Sequence, residues 1–482
     1  MRLRANSCVL LLLSLSILFI SAACRKQSSR EFIITDAPVI ALTHVRVIDG
    51  NGSPAVDDQT ILVEGGRIKS IGKTTEIEVP QGAKIFDLTN HTAIPGLVGM
   101  HNHLFYSTER GEKDVRASET FPKLYLAAGV TTIRTAGTFD LDDEVNTKRA
   151  IDSGRVPGPK IHLSSPYINY AHGKSLDVTL FNQKLEEWTA AGVATLKVYT
   201  NVGRDDLAQV IQTAHGRGLK VTGHLCATGF RDAAIAGIDN LEHGLLVDTE
   251  FYSGKQNNQC AERRDVFPEL VRLDVNGPEV RAMIKELVDR KVAITSTLAI
   301  FEIFTGDQFQ LDPRMQQVLT PAAYESCLAQ MAHDRADPRW ASFWQPLLKK
   351  EMEFEREFVR AGGLLMAGVD PTGWGGVVAG FGDQRQLELL VQAGFSPEEA
   401  IRIYTRNGAE FLARPVGASA NQNNPANFGT LEVGKQADIV IIQGDPRREI
   451  SQIRNVVIVF KDGVGFDPAK LIDSVVGEVG RR

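Results

Sequence analysis

The residues best suited to chemistry are four histidines, an aspartate and a lysine, and their spacing points to metal binding. His101 and His103 close the segment Pro95-Gly96-Leu97-Val98-Gly99-Met100-His101-Asn102-His103. Residues two apart on a strand face the same side, so both imidazoles project together. His224 closes Lys220-Val221-Thr222-Gly223-His224, and His243 closes Asp239-Asn240-Leu241-Glu242-His243. Asp370 closes Leu364-Leu365-Met366-Ala367-Gly368-Val369-Asp370. One His-x-His alone is usually a chance pair on a strand face. A set of such residues, each ending its own apolar run, reads as a ligand set, and imidazole with carboxylate suits zinc. Lys197 lies in Ala194-Thr195-Leu196-Lys197-Val198-Tyr199 and shares a face with Thr195 and Tyr199. It points either into the interior or into surrounding helices, where an ammonium without a partner is costly.

The elements that must position these groups are legible from the same pattern. Strand candidates ending near His103, Thr135, His162, Tyr199, His224, His243, Ser296 and Asp370 alternate with helical spans. That alternation predicts an α/β protein, a TIM-like (β/α)8 barrel over 93–416, whose reactive groups sit at the C-terminal ends of the strands. Short strands at both chain ends, 38–92 and 428–475, predict a small β-sandwich domain built from both termini, with 417–427 as linker. Within it Glu64-Gly65-Gly66 marks a hairpin. Ser396-Pro397-Glu398-Glu399 spells a helix start, with an N-cap, a proline at the first position and an acid at the third. The charged helical span 320–360 is expected to be a lid or interface. The loops 105–118, 165–180 and 371–383 are expected to set specificity.

Composition narrows the classes. The 482 residues carry 53 Lys+Arg against 59 Asp+Glu, a net charge of -6, with 43% hydrophobic and 23% charged residues. Such a chain is a folded, enzyme-sized body without the basic block a nucleic-acid partner would require. Its 5 cysteines are too few for a disulfide scaffold. Cys260 and Cys327 could pair in an oxidising compartment, and Cys226 reads as inert core. Arg2 and Arg4 precede an apolar stretch from Val9 to Ala23, short of the about 20 residues a membrane span needs, so residues 1–23 read as a signal peptide. Ser21-Ala22-Ala23-Cys24 resembles a bacterial lipoprotein box. Cys24 would then be the lipid anchor, residues 24–37 a tether, and the protein periplasmic or held at the outer membrane. Ser21 and Ala23 also suit simple secretion. Membrane contact is expected only through that anchor, and a homo-oligomer is compatible with the sequence.

From about Leu42 to Asp462 the chain resembles the amidohydrolase superfamily, in the branch of imidazolonepropionase and bacterial metal-dependent prolidases. The motifs are Val47-Ile48-Asp49-Gly50, the His-x-His, Gly129-Val130-Thr131-Thr132-Ile133-Arg134, and Gly429-Thr430-Leu431-Glu432-Val433-Gly434-Lys435-Gln436-Ala437-Asp438. The resemblance implies two divalent ions, zinc by expectation. His101, His103 and Asp370 would hold the more buried ion, and His224 and His243 the more exposed one. A carbamylated Lys197 would bridge them. It further implies hydrolysis of an amide or peptide C–N bond in a small-molecule or short-peptide substrate, a dipeptide or N-acyl amino acid being favoured. A metal-bridging hydroxide would attack, with Asp370 as general base and then acid. Tyr199 and His172 are candidates to stabilise the oxyanion or hold the substrate. Cys226 stands where relatives often have a second histidine, and Thr135 where many carry aspartate. Arg134 either grips a substrate carboxylate or forms a structural ion pair. One rival is a mononuclear deaminase or imidazolonepropionase-like cyclic amidohydrolase. Lys197 counts against it, as does Ala227, which occupies the place of a common glutamate. The other rival is an inactive binding protein on the same fold, against which every expected ligand position is filled.

Overall fold

The computed structural model describes residues 29–170, 174–416 and 425–481. Its middle contains parallel strands β1 (Leu97–Asn102), β2 (Val130–Thr135), β3 (Lys160–His162) and β4 (Thr195–Val198). They are followed by β5 (Lys220–Gly223), β6 (Asn240–Glu242), β7 (Ala293–Ser296) and β8 (Leu365–Ala367). The strands pair in chain order as two arcs, β1 to β3 and β4 to β8. Backbone hydrogen bonds link the arcs at both ends. Tyr199 N donates to Ile168 O at 2.9 Å past β3, and Asp370 N donates to His101 O at 2.9 Å past β8. The close approach of β8 to β1 requires Gly368, whose Cβ would stand 2.3 Å from His101 N. Each strand lies between helices and the interior, which is why it reads as a short, nearly continuous apolar run.

Helices alternate with the strands as the patterning predicts. Ser396 accepts from Glu399 N and Glu399 returns the bond to Ser396 N, starting the helix Pro397–Tyr404. The span 320–360 is helical, as Pro321–Arg335 and Pro338–Arg360. Its second half is not a lid. Leu347, Phe354 and Phe358 are buried in the main core, and the helix packs on β8 and on the segment after β6. Among the described residues no helix is long and apolar enough to cross a membrane.

Strands from both chain ends join one nine-stranded sheet. The sheet forks at strand Val39–Val47, whose first half pairs with Lys84–Asp87 and whose end pairs with His91–Pro95. Ile33–Thr35, in the stretch read as tether, pairs with Val464–Phe466. Strand Ile439–Gln443 shows the period-2 logic clearly. Ile439 and Ile441 fill the sheet's own core, while Val440 and Ile442 join the core under the parallel strands. Gly65 and Gly66 turn the hairpin with φ of +57° and +77°, a conformation that glycine adopts without strain.

The cysteine pairing differs from expectation. Cys226 is bonded to Cys260, and Cys327 is a buried free thiol against Tyr106. Cys226 is therefore a cross-link two residues beyond His224, and Cys260–Cys327 is ruled out as a pair. The bond closes a loop of sequence separation 34, so a Cys226→Ser, Cys260→Ser double variant should lose about 2–4 kcal/mol of unfolding free energy. Urea unfolding of the two proteins measures this.

Candidate metal centre

The site is built from strand ends around a buried polar layer. Arg134 on β2, Thr222 on β5, Asn240 and Glu242 on β6 and Thr295 on β7 all point inward, as alternation along each strand requires. Glu242 lies at the centre. It accepts from Arg134 at 2.5 Å, from Thr222, and from His101 Nδ1 at 2.8 Å. Burial would raise its carboxyl, but Arg134, Lys197 and His101 hold it well below the usual carboxylate range. Glu242 was missed as a functional residue by sequence reasoning. The signal was available in Asn240-x-Glu242, an inward-facing acid beside a ligand candidate. Arg134, for which two roles were open, is a structural ion-pair partner sealed from the cavity.

Above this layer the imidazoles converge. His101 donates its Nδ1–H to Glu242, and His103 donates its Nδ1–H to Gly137 O at 3.2 Å. Each is thereby left with its Nε2 facing Asp370, 3.6 Å from Oδ1 for His101 and 3.2 Å for His103. His243 is held through Nδ1 by Thr297 Oγ1 at 2.8 Å, and its Nε2 lies 3.8 Å from Asp370 Oδ2. Ligand atoms of His101, His243 and Asp370 all fall within 4.8 Å of one another. The His224 ring lies beside His243, with centroids 4.4 Å apart. Burial pushes His101 down and His224 and His243 well down, so these rings are neutral donors of a lone pair. Burial alone would raise Asp370, but the surrounding imidazoles hold it well below the usual carboxylate range.

Lys197 points into the interior. It is 1% exposed, and its Nζ has no hydrogen-bond partner and lies 3.8 Å from Glu242 Oε1. His243 Nε2 is likewise unpartnered. Buried polar atoms are nearly always paired. Orphaned nitrogens beside a convergent carboxylate therefore fit a divalent ion at His101, His243 and Asp370, with His103, His224 and Lys197 alongside. Tyr199 lines the same cavity, and burial raises its phenol, which stays protonated. His172 lies outside the described residues.

The cavity holds about 420 Å³ and opens at the strand ends. Its floor is the histidine cluster with Lys197 and Asp370, and its walls include Phe105, Phe139, Tyr167 and Phe301. Two of the ligand candidates have left-handed backbone, His243 at φ +71° and Asp370 at φ +49°. Strain of this kind gathers where a side chain must be aimed.

Comparison with known proteins agrees with this geometry. Residues 356–465 match the model of the amidohydrolase family. Over 75 residues the chain is 36% identical to 5-methylthioadenosine/S-adenosylhomocysteine deaminase of Carboxydothermus hydrogenoformans, covering 16% of this chain and 17% of that protein. Over 215 residues it is 26% identical to enamidase of Eubacterium barkeri, covering 41% of this chain and 52% of that protein. The chain thus spans at most about half the length of these curated relatives. A solved Xaa-Pro dipeptidase with methionine bound in its active site is similar with a TM-score of 0.64 at 20% identity, over 89% of this chain and 100% of that one. At that identity the likeness is one of fold.

The polar layer generates two expectations. Glu242→Gln replaces one of the two acceptor oxygens shared by His101, Arg134 and Thr222 with a donor and removes the counter-charge for Arg134, so metal affinity should fall about 10–100-fold and stability by about 3–5 kcal/mol. Chelator competition and thermal unfolding measure the two losses. Burial pushes Lys197 down to about 8, whereas an unfolded lysine titrates near 10.4. Between these values the unfolded chain binds more protons, so stability rises with pH. The cost of the buried ammonium is full below about pH 8 and gone above about pH 10.4. Chelator-treated protein should therefore gain roughly 3 kcal/mol relative to Lys197→Met across that window, and a flat difference would refute the assignment.

Proposed function

We propose that this chain belongs with the amidohydrolases, whose family model matches residues 356–465, and that it is an exported metal-dependent hydrolase of amide or peptide C–N bonds. What carries the reading is the convergence of His101, His103 and His243 on the Asp370 carboxylate, with His224 adjacent and Lys197 beneath without a hydrogen-bond partner. The two strand arcs are read as one (β/α)8 barrel with this cluster at its mouth. Two divalent ions, zinc in the first instance, would be held by these residues with Lys197 carbamylated, and would supply carbonyl polarisation and a water acidic enough to attack near neutral pH.

The chain's own groups account for the proton traffic. Asp370, ionised, accepts a proton from the attacking water. Thr372 Oγ1 donates to its Oδ1 at 2.7 Å and fixes the carboxylate. Water adds across the scissile bond, its oxygen to the acyl carbon, and Asp370 returns the proton to the departing amine nitrogen. The Tyr199 hydroxyl, protonated at the cavity wall, can donate to the oxygen that gains charge. Aromatic walls limit water around the reacting bond. The Cys226–Cys260 disulfide supports export, because such bonds persist in oxidising compartments. A lipid anchor at Cys24 completes the proposed location.

A one-metal deaminase is the counter-reading, favoured by the named deaminase among the relatives. Metal analysis of purified protein separates the two, with about two ions per chain expected for the hydrolase and one for the deaminase. Zinc-loaded protein screened against dipeptides and N-acyl amino acids should release free amino acids, and Asp370→Asn should lower turnover by about 10²–10⁴-fold. Unchanged turnover in that variant would sink the mechanism.

A further inference from the structure

We propose that Arg263 is the carboxylate anchor of the substrate, so that this site selects amides bearing a free carboxylate together with a bulky apolar group. This rests on the C–N hydrolase reading above and specifies its substrate class. Among the described residues lining the cavity the cations are Lys197 and Arg263. Lys197 is sealed in the floor, whereas Arg263 is exposed at the mouth. Two other exposed arginines, Arg231 with Nε 2.5 Å from Glu250 and Arg204 3.2 Å from Asp232, are paired and do not line the cavity. No hydrogen bond or ion pair among the described residues engages Arg263. It lines the cavity together with His224 and Tyr199. An unpaired guanidinium fork beside the ligands is suited to bidentate capture of a carboxylate.

The backbone around Arg263 is held in place. It is the first residue of helix Arg263–Arg272, whose Val266 and Phe267 are buried in the core. Three residues earlier Cys260 is bonded to Cys226, itself two residues past His224. The disulfide thus ties the start of this helix to the strand end that carries a ligand.

Aromatic residues lining the same cavity supply the second half of the recognition. Ring centroids run from His103 to Phe105 at 4.5 Å, to Phe139 at 5.0 Å, to Tyr167 at 5.1 Å and to Tyr199 at 5.1 Å. Phe139, in the middle of this wall, is 66% exposed. A continuous aromatic surface open to water at its rim gains free energy when an apolar group covers it.

The probes are 3-phenylpropanoate and 3-phenylpropan-1-ol, which lack a C–N bond and differ only in the carboxylate, titrated calorimetrically into the zinc-loaded protein. The acid should bind about 10–100-fold more tightly than the alcohol. Arg263→Gln should erase that preference, Arg263→Lys should restore part of it, and Phe139→Ala should weaken both ligands. In the hydrolysis screen Arg263→Gln should raise KM for dipeptides about tenfold or more, with kcat little changed and no effect on dipeptide amides. If Arg263→Gln leaves the acid's affinity unchanged, the anchor is overturned. If dipeptides and their amides are cleaved alike by the wild type, the anchor falls and the hydrolase reading stands. If an Arg263-dependent acid preference appears and no C–N bond is cleaved, the anchor stands and the hydrolase reading falls.

Discussion

The site depends on one buried carboxylate. Glu242 is fully enclosed, and an ionised acid in that position survives only because Arg134, Thr222 and His101 all donate to it. Those bonds run from β6 to β1, β2 and β5, so a single anion orients side chains from strands far apart in the sequence. By accepting from His101 Nδ1 it leaves Nε2 free to bind, as a second carboxylate behind a metal-binding histidine does. By standing 3.8 Å from Lys197 it also makes a buried lysine tolerable.

The backs of the same residues are fastened as firmly. Asn102, between the two histidines of β1, points the other way and donates to Asp383 at 3.1 Å. Asp383 also accepts from Tyr404 OH at 2.8 Å and from Gly380 N at 2.8 Å. Gly380 has a φ of +79° and would place a Cβ 2.2 Å from Leu124 O, so no other residue fits there. Strand alternation thus gives β1 a face that carries ligand candidates and a structural face. The structural one sets the first with hydrogen bonds rather than with apolar packing alone.

The strand ends were legible because their runs are short, apolar and each stopped by a polar residue that has to face a cavity. His101, His103, His224, His243 and Asp370 all appear at such stops. Ser396 and Gly65-Gly66 were legible because caps and tight turns are local chemistry. Other features were not, for physical reasons. Whether Cys260 reaches Cys226 or Cys327 is decided by loop paths that leave no periodic trace. The role of helix Pro338–Arg360 depends on which of its faces is covered, and its charged residues disguised a wall element as a surface insertion. Glu242 and Arg134 carry their meaning only as a pair, 108 residues apart in the chain.

Four of the irregularities fall together. A folded chain normally satisfies its buried polar atoms and relaxes its backbone, and departures from both rules collect at functional sites. Here the unpaired Lys197 Nζ and His243 Nε2, and the left-handed backbone at His243 and Asp370, lie within one cluster. Hydrogen bonds to Glu242 and Gly137 O, and one with Thr297 Oγ1, prevent the rings from turning to relieve it. The surrounding protein is rigid enough to impose this arrangement, with β8 pressed against β1 at Gly368 and the polar layer locked beneath. Groups held so firmly in unsatisfied positions are completed from outside the chain, and lone pairs facing a carboxylate define that complement as cationic. Lys197 below them joins the same donor set once it loses its proton, because that loss removes a positive charge that would oppose a metal ion in this floor.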